Sequence, residues 1–146
     1  MQISSRFTIA IHILLCIKTF QEEHKVTSDL LASSVNTNPV IIRRLLQQLK
    51  QAGLVHVARG TGGASLAKPV ESITLLDVYH AVACVDDGKL FHFHENPNPD
   101  CPVGRSIHAV LDDRLERIQS VMEEELRSVT IEDLLTPVQK APCTPP

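Results

Sequence analysis

The sequence predicts a mainly α-helical fold with one small β-hairpin: a winged helix-turn-helix followed by a long dimerisation helix. Three stretches predict it. Two helical patterns meet across a short polar turn between Thr27 and Gly53. A strand, a glycine-rich turn and a second strand follow from Leu54 to Leu66. An apolar stripe then steps by three or four residues through Ile107, Leu111, Leu115, Ile118, Met122 and Leu126. The first two stretches are contiguous, as a recognition helix and its wing must be. The third, at ~25 residues and roughly 37 Å, is too long for so small a winged domain to cover.

Ser4 or Ser5 can cap a first helix that runs to about Thr19. Phe7, Ile11, Leu14 and Leu15 form its stripe, and Ile9, Ile13 and Ile17 make it apolar on most sides. Such a helix is buried by more than one neighbour. His12 within it reads as a packed, hydrogen-bonded histidine rather than a ligand. Glu22 to Lys25 is a charged connector. Thr27 or Ser28 can cap a helix through Asp29-Leu30-Leu31-Ala32.

The second helical pattern opens at Asn38-Pro39, a cap followed by a proline whose missing N–H costs nothing there. It closes at Gly53, which tolerates positive φ. Ile42, Leu45, Leu46, Leu49 and Ala52 recur at helical spacing and face a core. Val40, Arg43, Arg44, Gln47, Lys50 and Gln51 fall on the opposite side, which carries cations and amides and no acid. Arginine and glutamine bond bidentately to base edges in the major groove, and Lys and Arg also hold phosphates. A solvated helix face is the alternative for these residues taken alone.

The residues after Gly53 decide between the two. Leu54-Val55-His56-Val57-Ala58 and Ala64-Ser65-Leu66 are strand-like around the turn Arg59-Gly60-Thr61-Gly62-Gly63. No helix starts after Gly63 and no G-K-[ST] is present, so the glycines are not a nucleotide-phosphate cradle. A basic hairpin tip directly after a cationic helix is a wing.

Lys68 to Ser72 is a linker, and Ile73 to Val82 is a helix capped near Thr74, with Asp77 at the third position. Asp86-Asp87-Gly88 ends it. Leu90 to Gly104 is irregular because of its prolines. His92, His94, Glu95 and Cys101 make this loop ligand-rich, and two readings stand: a metal site using His92, His94 and Cys101, or a packed loop fixed by its prolines and Asx residues. The long helix runs from Pro102-Val103 to about Ser128. Thr130 to Leu135 is a brief capped helix, and Thr136 to Pro146, with four prolines, is expected to be mobile. The division is thus 1–72 for the DNA-binding unit, 73–135 for the connecting helix, loop and dimerisation helix, and 136–146 for the tail.

The 146 residues carry a formal charge of −3, unevenly placed. Residues 1–68 hold eight Lys/Arg against three Asp/Glu, a balance of +5, whereas residues 69–146 hold six against fourteen, a balance of −8. No acid occurs between Asp29 and Glu71. An acid-free segment coincident with the helix-turn-helix and wing suits a polyanion. Cys16, Cys84, Cys101 and Cys143 show no CxxC or zinc-finger spacing. No apolar run is long enough to span a bilayer and no signal peptide is visible, so a cytoplasmic location is expected. No Ser/His/Asp or carboxylate constellation can be assembled, so an enzyme is not expected.

With these elements placed, the sequence resembles the Rrf2 family of bacterial transcriptional regulators. The resemblance spans Ile3 to about Leu135. It rests on Ser5-Arg6-Phe7, on Asn38-Pro39 to Leu54, on the wing Arg59-Gly60-x-Gly62-Gly63-Ala64-x-Leu66, and on Ile73-Thr74-Leu75-Leu76-Asp77-Val78. Asn96-Pro97-Asn98-Pro99-x-Cys101-Pro102-Val103-Gly104 resembles one uncharacterised branch of it. The resemblance implies a homodimer crossed through the long helix at Ile107, Leu111, Leu115, Ile118 and Met122, with each winged unit reading half of a palindromic operator in double-stranded DNA. The expected DNA contacts are Arg6, Asn38, Val40, Arg43, Arg44, Gln47, Arg59, Gly60, Gly62 and Gly63. Some family members hold an iron–sulfur cluster through three cysteines before the long helix; only Cys101 stands there, so no cofactor is expected. The function this implies is a dimeric DNA-binding repressor. Independently of the resemblance, Cys101 lies just before the long helix, whose dipole favours a thiolate, and Cys143 lies on the tail, so oxidation of Cys101 resolved by Cys143 is a candidate redox signal. Two alternatives remain: a winged-helix module acting through a partner protein, and a metal-responsive regulator using His92, His94 and Cys101.

Overall fold

The computed structural model describes residues 3–60, 62–82, 86–139 and 145. Its helices are α1 (Arg6–Phe20), α2 (Ser28–Val35), α3 (Pro39–Gln51), α4 (Leu75–Ala81), α5 (Pro102–Ser128) and α6 (Ile131–Gln139), with strands β1 (Val55–Val57) and β2 (Ala64–Leu66) between α3 and α4. The helical fold with one antiparallel hairpin is the one the sequence predicts.

α1 is the centre of the molecule. It packs against α2, α3, α4, α6 and β2, and Ile13, Leu14 and Ile17 are fully buried. Around them lie Leu31 of α2, Ile42, Leu45 and Leu49 of α3, Val55 of β1, Ile73, Val78 and Ile131. At its N-terminal end the Phe7 ring meets Tyr79 of α4 edge-on, centroids 6.0 Å apart. That explains a helix apolar on most of its circumference: each side faces a different element. Its cap differs from expectation. The Ser5 side chain makes no capping bond, and the hydroxyl of Ser4 instead accepts from the Arg6 amide at 3.2 Å.

The helix-turn-helix is built by local chemistry. Thr27 Oγ1 accepts from the Leu30 amide at 3.2 Å, and α2 ends on Asn36 in the left-handed region, φ 61°. Asn38 Oδ1 then accepts from the Val40 amide at 2.9 Å with Pro39 at the first helical position. Each such cap contributes roughly 1 kcal/mol. α3 ends one residue earlier than its apolar pattern suggests. Ala52 is its cap and is exposed, because the chain turns away at Gly53 before that position can face the core.

α4 carries a complete capping box: Thr74 Oγ1 accepts from the Asp77 amide at 3.1 Å, and Asp77 Oδ2 accepts from the Thr74 amide at 3.0 Å. The helix stops at Ala81. Thr74 also bridges to Thr130, with the Leu75 amide donating to Val129 O at 2.9 Å and the Ile131 amide to Ile73 O at 2.9 Å. These bonds clamp the far end of α5 onto the winged unit. Thr130 and Asp133 repeat the capping box for α6.

The segment from Thr136, expected to be mobile, is partly helical. α6 continues through Pro137 to Gln139, and Val138 lines a groove against α1. Pro137 lies inside the helix, where its ring removes one backbone hydrogen bond, and α6 packs against α1. Cys84 and Cys143 lie outside the described residues.

Candidate nucleic-acid interface

α3 presents the face that its sequence predicts. Ile42, Leu45, Leu46 and Leu49 are buried, and Val40, Arg43, Arg44, Gln47, Lys50 and Gln51 are exposed. Among the described residues no ion pair or hydrogen bond engages the side chains of Arg43, Arg44, Lys50 or Arg59. Cations left without an internal partner cost little in water, and they keep their full charge for an external anion. Asn38 is exposed, and its Oδ1 accepts from the Val40 amide in the cap. Arg6 is exposed at the start of α1, its Nε donating to Ser4 Oγ at 3.2 Å.

The wing pairs Val55 with Leu66, His56 with Ser65 and Val57 with Ala64. Arg59 and Gly60 are exposed at its tip. The three glycines of the tip do different things. Gly60, at φ +69°, has nothing within 4 Å of where a Cβ would sit, so it is open to approach from outside. A Cβ on Gly62 would collide with Ala58 across the hairpin. Gly63, at φ +79°, lies against the Val26 backbone, with a would-be Cβ 2.9 Å from the Val26 nitrogen. The Ala64 amide donates to Val26 O at 2.8 Å. Gly62 and Gly63 therefore have structural reasons to be glycine beyond any contact with DNA.

Two anchoring residues escaped the sequence reading. Gln21, just past α1, accepts from the Leu66 amide through Oε1 at 3.0 Å, and Val26 is the buried backbone partner of the wing. Neither sits in a periodic pattern. Both fix the wing relative to α1, and hence to α3, which packs on α1 and on β1.

The loop before α5 does not form the metal site considered for it. Among the described residues no group of three His, Cys, Asp or Glu side chains is placed to hold a metal ion. The chain there is extended and alternates. Phe91 and Phe93 are half-buried, whereas His92 and His94 are exposed. The Phe93 ring meets His108 of α5 at a tilt of 41°, centroids 4.8 Å apart, and His94 stacks on the same His108 ring at 6.4 Å. Cys101 is held elsewhere, at the cap of α5. Gly104, in the first turn of that helix, explains the placement: any Cβ there would strike the Asn98 carbonyl, so only glycine lets the loop fold back onto the helix start. The sulfur of Cys101 makes no close capping hydrogen bond. At longer range the backbone amides of Gly104 and then Val103 favour its thiolate and hold the thiol below the ordinary value.

α5 has no buried residue along its 27 positions. The predicted dimerisation stripe divides. Met122 and Leu126 pack against the protein's own core, and Leu115 lines a cavity with Phe91 and Phe93. Ile107 and Leu111 are half-buried. Ile118 is 53% exposed and joins Val103 at 69%, Val110 at 52% and Val121 at 61% on a face with no cover in the single chain.

Comparison with known proteins finds the same winged-helix architecture. The Rrf2 family model, described as an iron-dependent transcriptional regulator, matches residues 3–137. The chain belongs to the Rrf2 family. It is 45% identical over 133 residues to YwnA of Bacillus subtilis, a candidate HTH-type transcriptional regulator, covering 91% of this chain and 96% of YwnA. A crystal structure of a candidate DNA-binding protein is 41% identical, with a TM-score of 0.70, over 90% of this chain and 99% of that one. The global cysteine regulator CymR of B. subtilis, 21% identical with a TM-score of 0.66 over 93% of this chain and 97% of that one, shares the fold. Members of the Rrf2 family are DNA-binding transcriptional regulators and not enzymes. No helix of the described residues is long and apolar enough to cross a membrane.

The family description raises iron, and the donor set here does not fit a cysteine-held cluster. Cys101 is the one cysteine between Asp86 and the start of α5, and Cys16 is buried in α1. Among the described residues Cys101 is thus the one cysteine outside the core, where a cysteine-held cluster takes three or four; Cys84 and Cys143 lie outside the described residues.

Proposed function

We propose that this protein is a dimeric, sequence-specific repressor whose two winged units read the halves of a palindromic operator. The observation that carries this reading is the exposed face of α3: two arginines, a lysine and two glutamines with no acid among them, beside a wing tip with a further arginine. Arg43, Arg44 and Gln47 are assigned to base edges and Val40 to a thymine methyl. Lys50, Arg59, Arg6 and the Gly60 amide are assigned to phosphates. The uncovered face of α5 supports a closed two-fold dimer, with Val110, Ile118 and Val121 at the seam and Ile107 and Leu111 beside them. The regulator works without a resident cluster.

Retention of genomic fragments tests the reading. Immobilised protein should enrich a small set of promoter fragments at moderate salt, each containing an inverted repeat. Retention that ignores sequence, or none, would leave a protein-docking role for the winged unit instead.

A second reading, of how the signal enters, is favoured by the amides that stabilise the Cys101 thiolate. A peroxide or hypochlorite oxidant takes the thiolate to a sulfenic acid. A second thiol, assigned to Cys143, then displaces water to form a disulfide. Non-reducing gels after mild peroxide test it. A covalent dimer that needs both Cys101 and Cys143 is the expected result.

A further inference from the structure

A groove of about 410 Å³ opens between α1, α2 and α6, and none of its lining residues has a role assigned above. We propose that it binds an uncharged, mostly apolar small molecule of the phenol or indole class, and that its occupancy sets operator affinity. The second clause rests on the DNA-binding function proposed above; the first does not.

The lining defines the ligand. Ile11, Leu15, Phe20 and Val138 supply apolar walls, and among the described residues no Asp, Glu, Lys or Arg lines the groove. A charged ligand would lose its hydration and gain no counter-ion. The volume lies within the range usual for small-molecule sites. At the floor three polar side chains meet on Ser34. Its Oγ lies 2.8 Å from His12 Nε2 and accepts from Cys16 Sγ at 3.2 Å. In the His12 tautomer protonated at Nδ1, Nε2 takes the hydroxyl proton, and Ser34 has used one lone pair on the thiol and keeps one. That remaining acceptor suits a single O–H or N–H on the ligand, which is why a phenol or indole fits better than a ketone or a plain hydrocarbon.

The position supplies the regulation. Ser34 lies in the last turn of α2, two residues before the left-handed Asn36 that turns the chain toward α3. Val138 lies on α6, which is joined to α5 by the Val129–Thr130 connection. A molecule wedged between them touches both the element that aims the recognition helix and the one that continues the dimerisation rod. Occupancy that favours one spacing of α2 and α6 therefore biases the separation of the two recognition helices.

Calorimetry and thermal melting on the full chain, with phenol and indole as probes and toluene as the apolar control, test the site. Saturable binding of one probe per chain is expected. Ser34→Ala should weaken phenol roughly five- to tenfold, the loss expected for one hydrogen bond, and leave toluene unchanged. Leu15→Trp, or Val138→Trp if that variant melts early, should fill the groove and abolish binding. No saturable binding to the wild type, or equal affinity in Ser34→Ala and a folded tryptophan variant, overturns the site. Saturating probe should shift operator affinity by at least about fivefold; binding with no such shift overturns the regulatory role. Failure of the free protein to retain any DNA would strike the DNA-binding function alone, because calorimetry without DNA still reads the groove.

Discussion

The division of labour on the DNA face yields a quantitative prediction from two substitutions, Arg59→Ala in the wing and Arg44→Ala on α3. Both side chains are exposed and have no internal ion pair among the described residues, so neither change should disturb the fold. Arg59 is assigned to a phosphate. Its loss removes one cation per protomer and two per dimer, and each neutralised phosphate contributes about 0.9 to the slope of log affinity against log salt. The slope should therefore become shallower by about 1.8. Across a fourfold rise in salt the variant should lose roughly twelvefold less affinity than the wild type. Its affinity should fall by a similar factor on operator and random duplex. Arg44 is assigned to a base edge, where one bidentate contact discriminates by about 1–3 kcal/mol. Over two half-sites that is about 2–6 kcal/mol, taken from the operator and not from random DNA. Fluorescence anisotropy with labelled operator and random duplexes over a salt series measures both. If Arg59→Ala keeps the wild-type slope, or Arg44→Ala weakens both duplexes equally, the assignment of base and phosphate contacts is wrong.

Other consequences can be read with simple assays. Val110→Lys and Ile118→Lys together should give a folded monomer in sedimentation, because both side chains are already exposed in the single chain; a dimer that persists would place the seam elsewhere. Gly63→Ala should lower stability by roughly 2 kcal/mol or more and the melting midpoint by about 4–8 °C, from its positive φ and its contact with Val26. Gly60→Ala, with the same sign of φ but open space, should cost about half of that. Protein purified without oxygen should show no iron–sulfur absorption, and a visible cluster stoichiometric with the chain would refute the donor-set argument. Alkylation of Cys101, with the other three cysteines changed to serine, should have its midpoint below pH 9.0. The thiolate is favoured in the folded chain, so this small stabilising contribution is fully present at pH above the unfolded value and fades as pH falls through the folded one. A midpoint at or above 9.0 would show that the Gly104 and Val103 amides do not act on the sulfur.

The helix-turn-helix and its wing were legible because their signals are local. Thr27, Asn38 with Pro39, Thr74 with Asp77 and the glycine-rich tip each act on backbone groups within a few residues, so residue type and spacing suffice. What stayed hidden depends on contacts across long separations. Gln21, just past α1, reaches Leu66 across 45 residues and Gln119 of α5 reaches Leu90 across 29, and no periodicity points either side chain to its partner. Of the two readings of the loop, the metal site of His92, His94 and Cys101 is not formed among the described residues, for the same reason. Proximity in sequence suggested proximity in space, but alternation set the phenylalanines on α5 and Gly104 drew Cys101 to the helix start.

α5 shows where a periodic signal stops being informative. A stripe with steps of three and four residues identifies a helix with one apolar side, and it cannot say whose surface covers that side. At about 100° per residue Ile118 and Met122 are separated by some 40° around the helix, and both continue the same stripe in sequence. Yet Met122 packs on the chain's own core, while Ile118 is open. The broad stripe is thus two narrower ones laid side by side. The first is fixed by the clamp at Thr74 and Thr130, which sets the rotation of α5 against α4. The second, Val103, Val110, Ile118 and Val121, is what that rotation leaves over. A single winged unit has no further element to offer it, and burying such a row of valines and an isoleucine against a second copy is favourable at roughly 25 cal/mol per Å². The bridge between Thr74 and Thr130 joins the end of α5 to the start of α4, and Val103, Val110, Ile118 and Val121 are the residues left exposed for the dimer seam proposed above.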